Sequence, residues 1–290
     1  MRGPFFVKLH SMTFFWILLA LASGQGLRYL PLRPEALAKA LNTYVLWVCL
    51  PALTLAMGVH LPLEWRILLP ASVAWFGFIV ALGWVILARR LFSLDRATTG
   101  CLLLTAGLGN TSFVGFPLIR WLYGEDSLWI ALLIDQPGSF LVLSTLGLMA
   151  GAYFAEGQER PLKTQALAIF LRIVRFPPFV CFALALGLNL QGWQWPTPVA
   201  SGLSAVAATL TPAALLAVGL QLQLKQLTSL KGPLAVGLSY RLGVAPLLVW
   251  GLYGGLLGLK GNMLGVSVLE AGMAPMITGS IVAAGLGLNP

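Results

Sequence analysis

The chain has 290 residues, of which 58% are hydrophobic and 9% charged, at a mean hydropathy of +0.87. A water-soluble domain carries roughly 25% charged residues to solvate its surface. A soluble enzyme is therefore excluded, and the apolar excess must face hydrocarbon, where only helices or closed barrels satisfy the backbone. The net charge of +9 does not point to nucleic acid, because the basic residues come singly or in small groups between apolar runs and form no stripe.

Apolar segments recur at approximately 12–29, 36–58, 67–88, 97–120, 127–152, 177–190, 198–222, 233–258 and 262–287, which predicts nine spans. Runs of about 20 residues fit membrane helices and not barrel strands. The first follows Arg2 and Lys8 and ends in small residues, the outline of a signal peptide. Because many spans follow, a retained first helix is expected, and Met12 opens the apolar run closely enough to be the start codon. The sixth span is the shortest: Arg172 and Arg175 precede Pro177-Pro178, so a basic interfacial segment leads into a helix that starts at the prolines. Cys49, Cys101 and Cys181 fall inside apolar runs without close pairing, which suits packing and neither a disulfide framework nor a thiolate metal site.

Lys and Arg placement predicts orientation. With the N-terminus outside, about twelve basic residues lie on the inner side against five outside, with Arg241 set aside inside a span. The connector 153–165, bearing Glu156, Glu159, Arg160 and Lys163, is then cytoplasmic and divides a first repeat (1–152) from a second (166–290). Residues 51–61 read P-A-L-T-L-A-M-G-V-H-L and residues 212–222 read P-A-A-L-L-A-V-G-L-Q-L, so Pro, Ala, Leu, Ala, Gly and Leu recur at matching places. Five spans separate the copies, so they point in opposite directions, the inverted-repeat arrangement of secondary transporters.

The repeat makes the fourth and ninth spans correspond, and both carry helix breakers at mid-length: Gly107 to Pro117, and Glu270-Ala-Gly-Met-Ala-Pro275. Unwound backbone at membrane depth must line a polar cavity or find partners in the protein, and half-helix N-termini suit an anion. The rival reading is a pair of packing kinks at proline. Asp135, Glu270, Asn110 and Arg241 are polar residues inside spans, where a central charge costs about 2.5–3.5 kcal/mol on insertion scales. Asp135 and Glu270 are the candidates for proton or ion coupling, with a structural hydrogen bond as the rival role for Asp135. Arg241 either belongs to the transport pathway or has a structural role, snorkelling to the inner face or pairing with a carboxylate. Asn42 either supplies an amide to the same cavity or caps a neighbouring helix. There is no G-x-x-x-x-G-K-[ST] loop, and His10 and His60 are the only histidines, so nucleotide-driven transport, a histidine metal cluster and an intramembrane Ser hydrolase are unsupported.

The blocks L-N-T-Y-V-L-W-V-C-L-P-A-L (41–53), G-N-T-S-F-V-G-F-P (109–117), P-A-x-x-L-A-x-G (212–219) and E-A-G-M-A-P-M-I-T (270–278) resemble the auxin efflux carrier family, including its bacterial dicarboxylate permeases. The resemblance implies an all-α polytopic membrane protein of ten helices, as two inverted five-helix repeats with two broken helices crossing at the substrate site. Asn110 and Pro117 fall on the first crossover motif, and Gly272 and Pro275 on the second. The sequence stops at Gly-Leu-Asn-Pro290, where the family would enter its tenth helix.

The expected function is secondary transport of a small organic anion across the plasma membrane, without a cofactor and with a proton or sodium as the coupling ion. Asn110, Thr111 and Ser112 would donate hydrogen bonds, with backbone amides near Pro117 and Pro275 facing a carboxylate. A homodimer is left open. The rivals are a sodium-coupled carrier of the bile-acid symporter type and a membrane sensor or assembly subunit that binds without moving its ligand.

Overall fold

The computed structural model describes residues 4–29, 33–155, 162–222 and 231–288. Glu156, Glu159 and Arg160 of the expected connector, with Arg2 and Lys225, lie outside the described residues.

Among the described residues the chain forms twelve helical pieces and no strand. Helix α1 is Pro4–Leu27. Five helices are individually long and apolar enough to cross a bilayer: α2 (Pro34–Gly58), α3 (Trp65–Phe92), α6 (Glu125–Phe154), α9 (Thr197–Gln221) and α10 (Lys231–Leu256). Two passages are instead made of paired half-helices: α4 (Arg96–Ala106) with α5 (111–123), and α11 (Gly261–Ala271) with α12 (Ile277–Gly285). An 11-residue helix rises only about 16 Å, roughly half of a hydrocarbon core, so each pair is needed to cross. The basic segment before the sixth span forms α7 (Leu162–Val174), and the chain bends by 68° between it and α8, which begins at Pro177 and ends at Leu190. Residues 175 and 176 precede the two prolines, and a residue before proline is driven out of helical geometry, which accounts for the bend there.

Proline also shapes the long helices. A π-helical turn at Val45–Cys49 precedes Pro51, another at Tyr240–Val244 precedes Pro246, and Pro137 lies inside one at Ile134–Phe140. Proline lacks the amide of a regular helical bond and collides with the preceding turn, and a widened turn absorbs both defects. Trp75 Nε1 donates to the carbonyl of Pro137 at 2.9 Å, within one such turn. Large apolar side chains are exposed on the flanks of the long helices, among them Trp47, Ile79, Leu242, Leu247 and Leu256, as lipid-facing surfaces require. Helix α6 differs: 78% of its most apolar stretch is buried inside the protein, against 28% for α3.

The chain forms two compact units, each drawing on both sequence halves. The first comprises 1–63, 112–129 and 177–226. Within it α1 packs on α9 through facing glycines: a Cβ on Gly24 would lie 2.5 Å from the Leu216 carbonyl, and one on Gly219 would strike Leu21. Helix α2 packs on α8, where a Cβ on Gly58 would meet that of Ala185 at 2.5 Å. Trp195 Nε1 donates to Leu55 O at 2.9 Å and Asn189 Nδ2 to Leu61 O at 2.8 Å, which ties the loop after α8 to α2. Arg120 reaches Thr211 Oγ1 at 3.1 Å and pairs with Glu125 at 3.1 Å.

The second unit comprises 64–111, 130–176 and 227–290. Its core joins Phe78, Leu103, Leu104, Val142, Tyr240 and Val249 from α3, α4, α6 and α10. Tyr240, fully buried, satisfies its hydroxyl by donating to Gly77 O.

Candidate functional site

The two helix breaks cross inside the second unit. Residues 107–110 separate α4 from α5, and residues 272–276 separate α11 from α12. Pro275 supplies no amide, and Met276 beyond it is extended at φ −69° and ψ 124°. The crossing strands satisfy each other: Asn110 N donates to Ala274 O at 2.7 Å, Met276 N donates to Leu108 O at 3.0 Å, and Gly109 faces Pro275 in antiparallel register. The unwound backbone thus finds partners within the protein, which membrane depth demands. The approach is close here: a Cβ on Gly109 would stand 3.2 Å from Glu270 O and 3.3 Å from Arg241 Nη1, so its neighbours would have to give by a few tenths of an ångström.

Three charged side chains are buried beside the crossing: Asp135 at 3% exposure, Glu270 at 2% and Arg241 at 6%. Asp135 is well served. One carboxylate oxygen accepts from Thr111 Oγ1 and the other from Gln136 Nε2 at 2.6 Å. The π turn around Pro137 presents Asp135 and Gln136 to the interior together. Arg241 lies in the π turn before Pro246, and its Nη1 donates to Ala271 O at 3.0 Å, a carbonyl that the end of α11 leaves without a helical partner. A guanidinium at a helix C-terminus also meets the negative end of the helix dipole. Among the described residues Glu270, in contrast, has no hydrogen-bond partner at either carboxyl oxygen, and Arg241 has none at Nε or Nη2. These orphaned groups border a cavity of about 20 Å³ lined also by Gly109, Thr111 and Ser139. That is room for about one water, with polar partners on several sides.

A larger cavity of about 460 Å³ in the same unit runs from Asp95 and Thr98, past Thr105 and Leu234, to Arg241 and Pro275. At its outer end Asp95 caps α4, accepting from Thr98 N at 2.8 Å and Thr98 Oγ1 at 2.6 Å, and these bonds hold its carboxyl below the ordinary carboxylate range. Among the described residues no group of three or more His, Cys, Asp or Glu stands where it would hold a metal ion.

Of the residues singled out by sequence, Asn110, Thr111, Asp135, Glu270, Gly272 and Pro275 belong to this one unit, with Asn110 and Thr111 both buried. Ser112, Pro117 and Asn42 belong to the other, where Asn42 Oδ1 accepts a long bond of 3.4 Å from Gln221 Nε2. Sequence reasoning missed Gln136, Ser139 and Gly109, and treated Arg241 as a snorkelling or pairing residue when it caps a broken helix. Gln136 was legible as a second polar side chain next to Asp135 in an apolar span. The role of Arg241 had no local signal, since its acceptor is 30 residues away.

A family described as membrane transport protein matches residues 7–290. An uncharacterized transporter of Methanocaldococcus jannaschii is 27% identical over 200 residues, 67% of this chain and 62% of the relative. An uncharacterized transporter of Methanothermobacter thermautotrophicus is 27% identical over 271 residues, 92% of this chain and 85% of the relative. The match thus spans less than two thirds of the first relative's length. With an all-helical fold, apolar spans and two broken helices crossing at buried polar residues, the chain belongs to the membrane transport protein family, that of the auxin efflux carriers.

Proposed function

We propose that this transporter moves a small organic anion, a carboxylate or dicarboxylate, by exposing the helix crossing alternately to each side of the membrane. The observation that carries the reading is the crossing itself: two interrupted helices hydrogen-bonded to each other at Asn110 and Ala274, beside buried charges. In this reading Asn110, Thr111 and Ser112 offer side-chain donors, and the α5 N-terminus near Pro117 and the α12 N-terminus beyond Gly272 and Pro275 offer positive dipole ends to the anion. Asn110 N already serves Ala274, so its side chain and not its amide is the donor assigned to substrate. Arg241, at the end of the larger cavity, adds a fixed positive charge. The buried carboxyls Asp135 and Glu270 together form the coupling site.

The inverted-repeat reading draws support from matched contacts. The repeated glycines Gly58 and Gly219 both sit at close helix crossings, the second span against the sixth and the seventh against the first. Exchanging halves maps one crossing onto the other. The Lys and Arg distribution supports a plasma-membrane protein with its N-terminus outside.

Uptake of labelled malate, malonate and an indole acid into vesicles holding the purified protein tests the reading, with pH and sodium gradients imposed separately and protein-free vesicles as control. Saturable uptake of one anion, reduced at least tenfold by Asn110→Ala in a folded protein, is expected; unchanged kinetics in that variant would remove Asn110 from the site. Ligand binding without flux would favour a sensor.

A further inference from the structure

We infer that Glu270 is a single-proton site, a buried carboxyl that gains and loses one proton beside the fixed charges of Asp135 and Arg241, and that sodium does not occupy it. The inference deepens the proposed transport reading by naming its coupling ion.

The two buried carboxyls stand in opposite hydrogen-bonding situations. Both oxygens of Asp135 accept hydrogen bonds, from Thr111 and Gln136, and donors directed at a carboxylate favour its charged form. Neither oxygen of Glu270 accepts one from the protein, and an isolated buried charge is strongly penalised. Charge counting assigns the roles. Asp135 and Arg241 cancel, an ionised Glu270 leaves the cluster at one net negative charge, and one proton taken from water onto the Glu270 carboxylate restores neutrality. The cavity of about 20 Å³ that Glu270 shares with Arg241, Thr111 and Ser139 has room for about one water, a partner for a protonated carboxyl and a relay for its proton.

The same cavity disfavours sodium. A hard cation takes several oxygen ligands, whereas this wall includes a guanidinium, which has no acceptor and carries like charge. Among the described residues, Arg241 and Glu270 are the ionisable side chains that line the cavity. Helix α10 brings Arg241, Tyr240, which donates to Gly77 O, and Tyr253, hydrogen-bonded with Ser72. Helix α3 carries its charges, Arg66, Arg89 and Arg90, only at its ends. Besides Asp135, α6 holds its acids Glu125 and Asp126 in its first turn.

Infrared difference spectroscopy of the purified full chain in lipid nanodiscs reads the proton directly, with no substrate present. As pH is lowered, one protonated-carboxyl band is expected that Glu270→Gln lacks. The band should remain in Asp135→Asn and be unchanged when sodium replaces choline. A band that persists in Glu270→Gln, vanishes in folded Asp135→Asn or is abolished by sodium would overturn the inference, as would its absence from the wild type. If Asp135→Asn does not fold, the wild type, Glu270→Gln and the sodium comparison decide. A failed uptake assay leaves this readout standing, and a missing band leaves anion uptake standing.

Discussion

Arg241 shows how one side chain serves the backbone and the site at once. Its Nη1 completes the Ala271 carbonyl at the end of α11, while Nε and Nη2 remain turned to the cavity that Glu270 also borders. A buried carbonyl stripped of its donor costs about 1–3 kcal/mol, and Asp135 would lose the charge that balances it as well. Arg241→Met is therefore expected to lower the thermal unfolding temperature of the purified protein by that order of free energy. Adding Asp135→Asn should recover part of the loss, since the second change removes the uncompensated charge. Additive losses in the double variant would mean that the two charges do not sense each other.

At the scale of elements, glycine decides how closely the half-helices approach. Gly279 of α12 lies against α4, where a Cβ would stand 2.6 Å from the Leu104 carbonyl, a backbone atom that cannot swing aside. Gly279→Ala is expected to destabilise by about 1–3 kcal/mol, as overpacking does, seen as a lowered unfolding midpoint. Gly202→Ala is the control. It lies in α9 with nothing within 4 Å of an added Cβ, and alanine there should be neutral or stabilising by up to about 1 kcal/mol. Loss in the control equal to that at Gly279 would mean that the effect does not come from the α4 contact. The same rule acts at the crossing, where Gly109 admits Glu270 and Arg241 to the backbone of the first break.

Across the whole molecule, the chain order and the compact units do not coincide. Segments from both halves interleave in each unit, so stretches distant in sequence become neighbours: the breaks of the fourth and ninth spans in one unit, the first and seventh spans in the other. Orientation is a property of this scale, and the Lys and Arg distribution predicts an inner loop at Ser93 and an outer loop at Gln191. In a protein whose Cys49, Cys101 and Cys181 are replaced, Ser93→Cys should react with an impermeant thiol reagent only after cells are opened. Gln191→Cys should react in intact cells. The reverse pattern would invert the predicted topology.

The span positions were legible in the sequence because hydrocarbon imposes one coarse rule, a sustained apolar run bounded by charge or proline, and that rule acts locally. The starts of α8 at Pro177 and the interruptions at 107–110 and 272–276 followed for the same reason, since glycine and proline act on their own turn of helix. Glu270 and Asp135 announced themselves by their cost in an apolar run. What sequence alone left open were the partners: that the two breaks bond to each other, that Thr111 and Gln136 serve Asp135, and that Arg241 caps α11 while Glu270 has no protein partner. Those relations join residues as far as 168 positions apart, as Leu108 and Met276 are. Only the packed chain determines them, because a hydrogen bond depends on distances of a few ångströms that no local preference specifies.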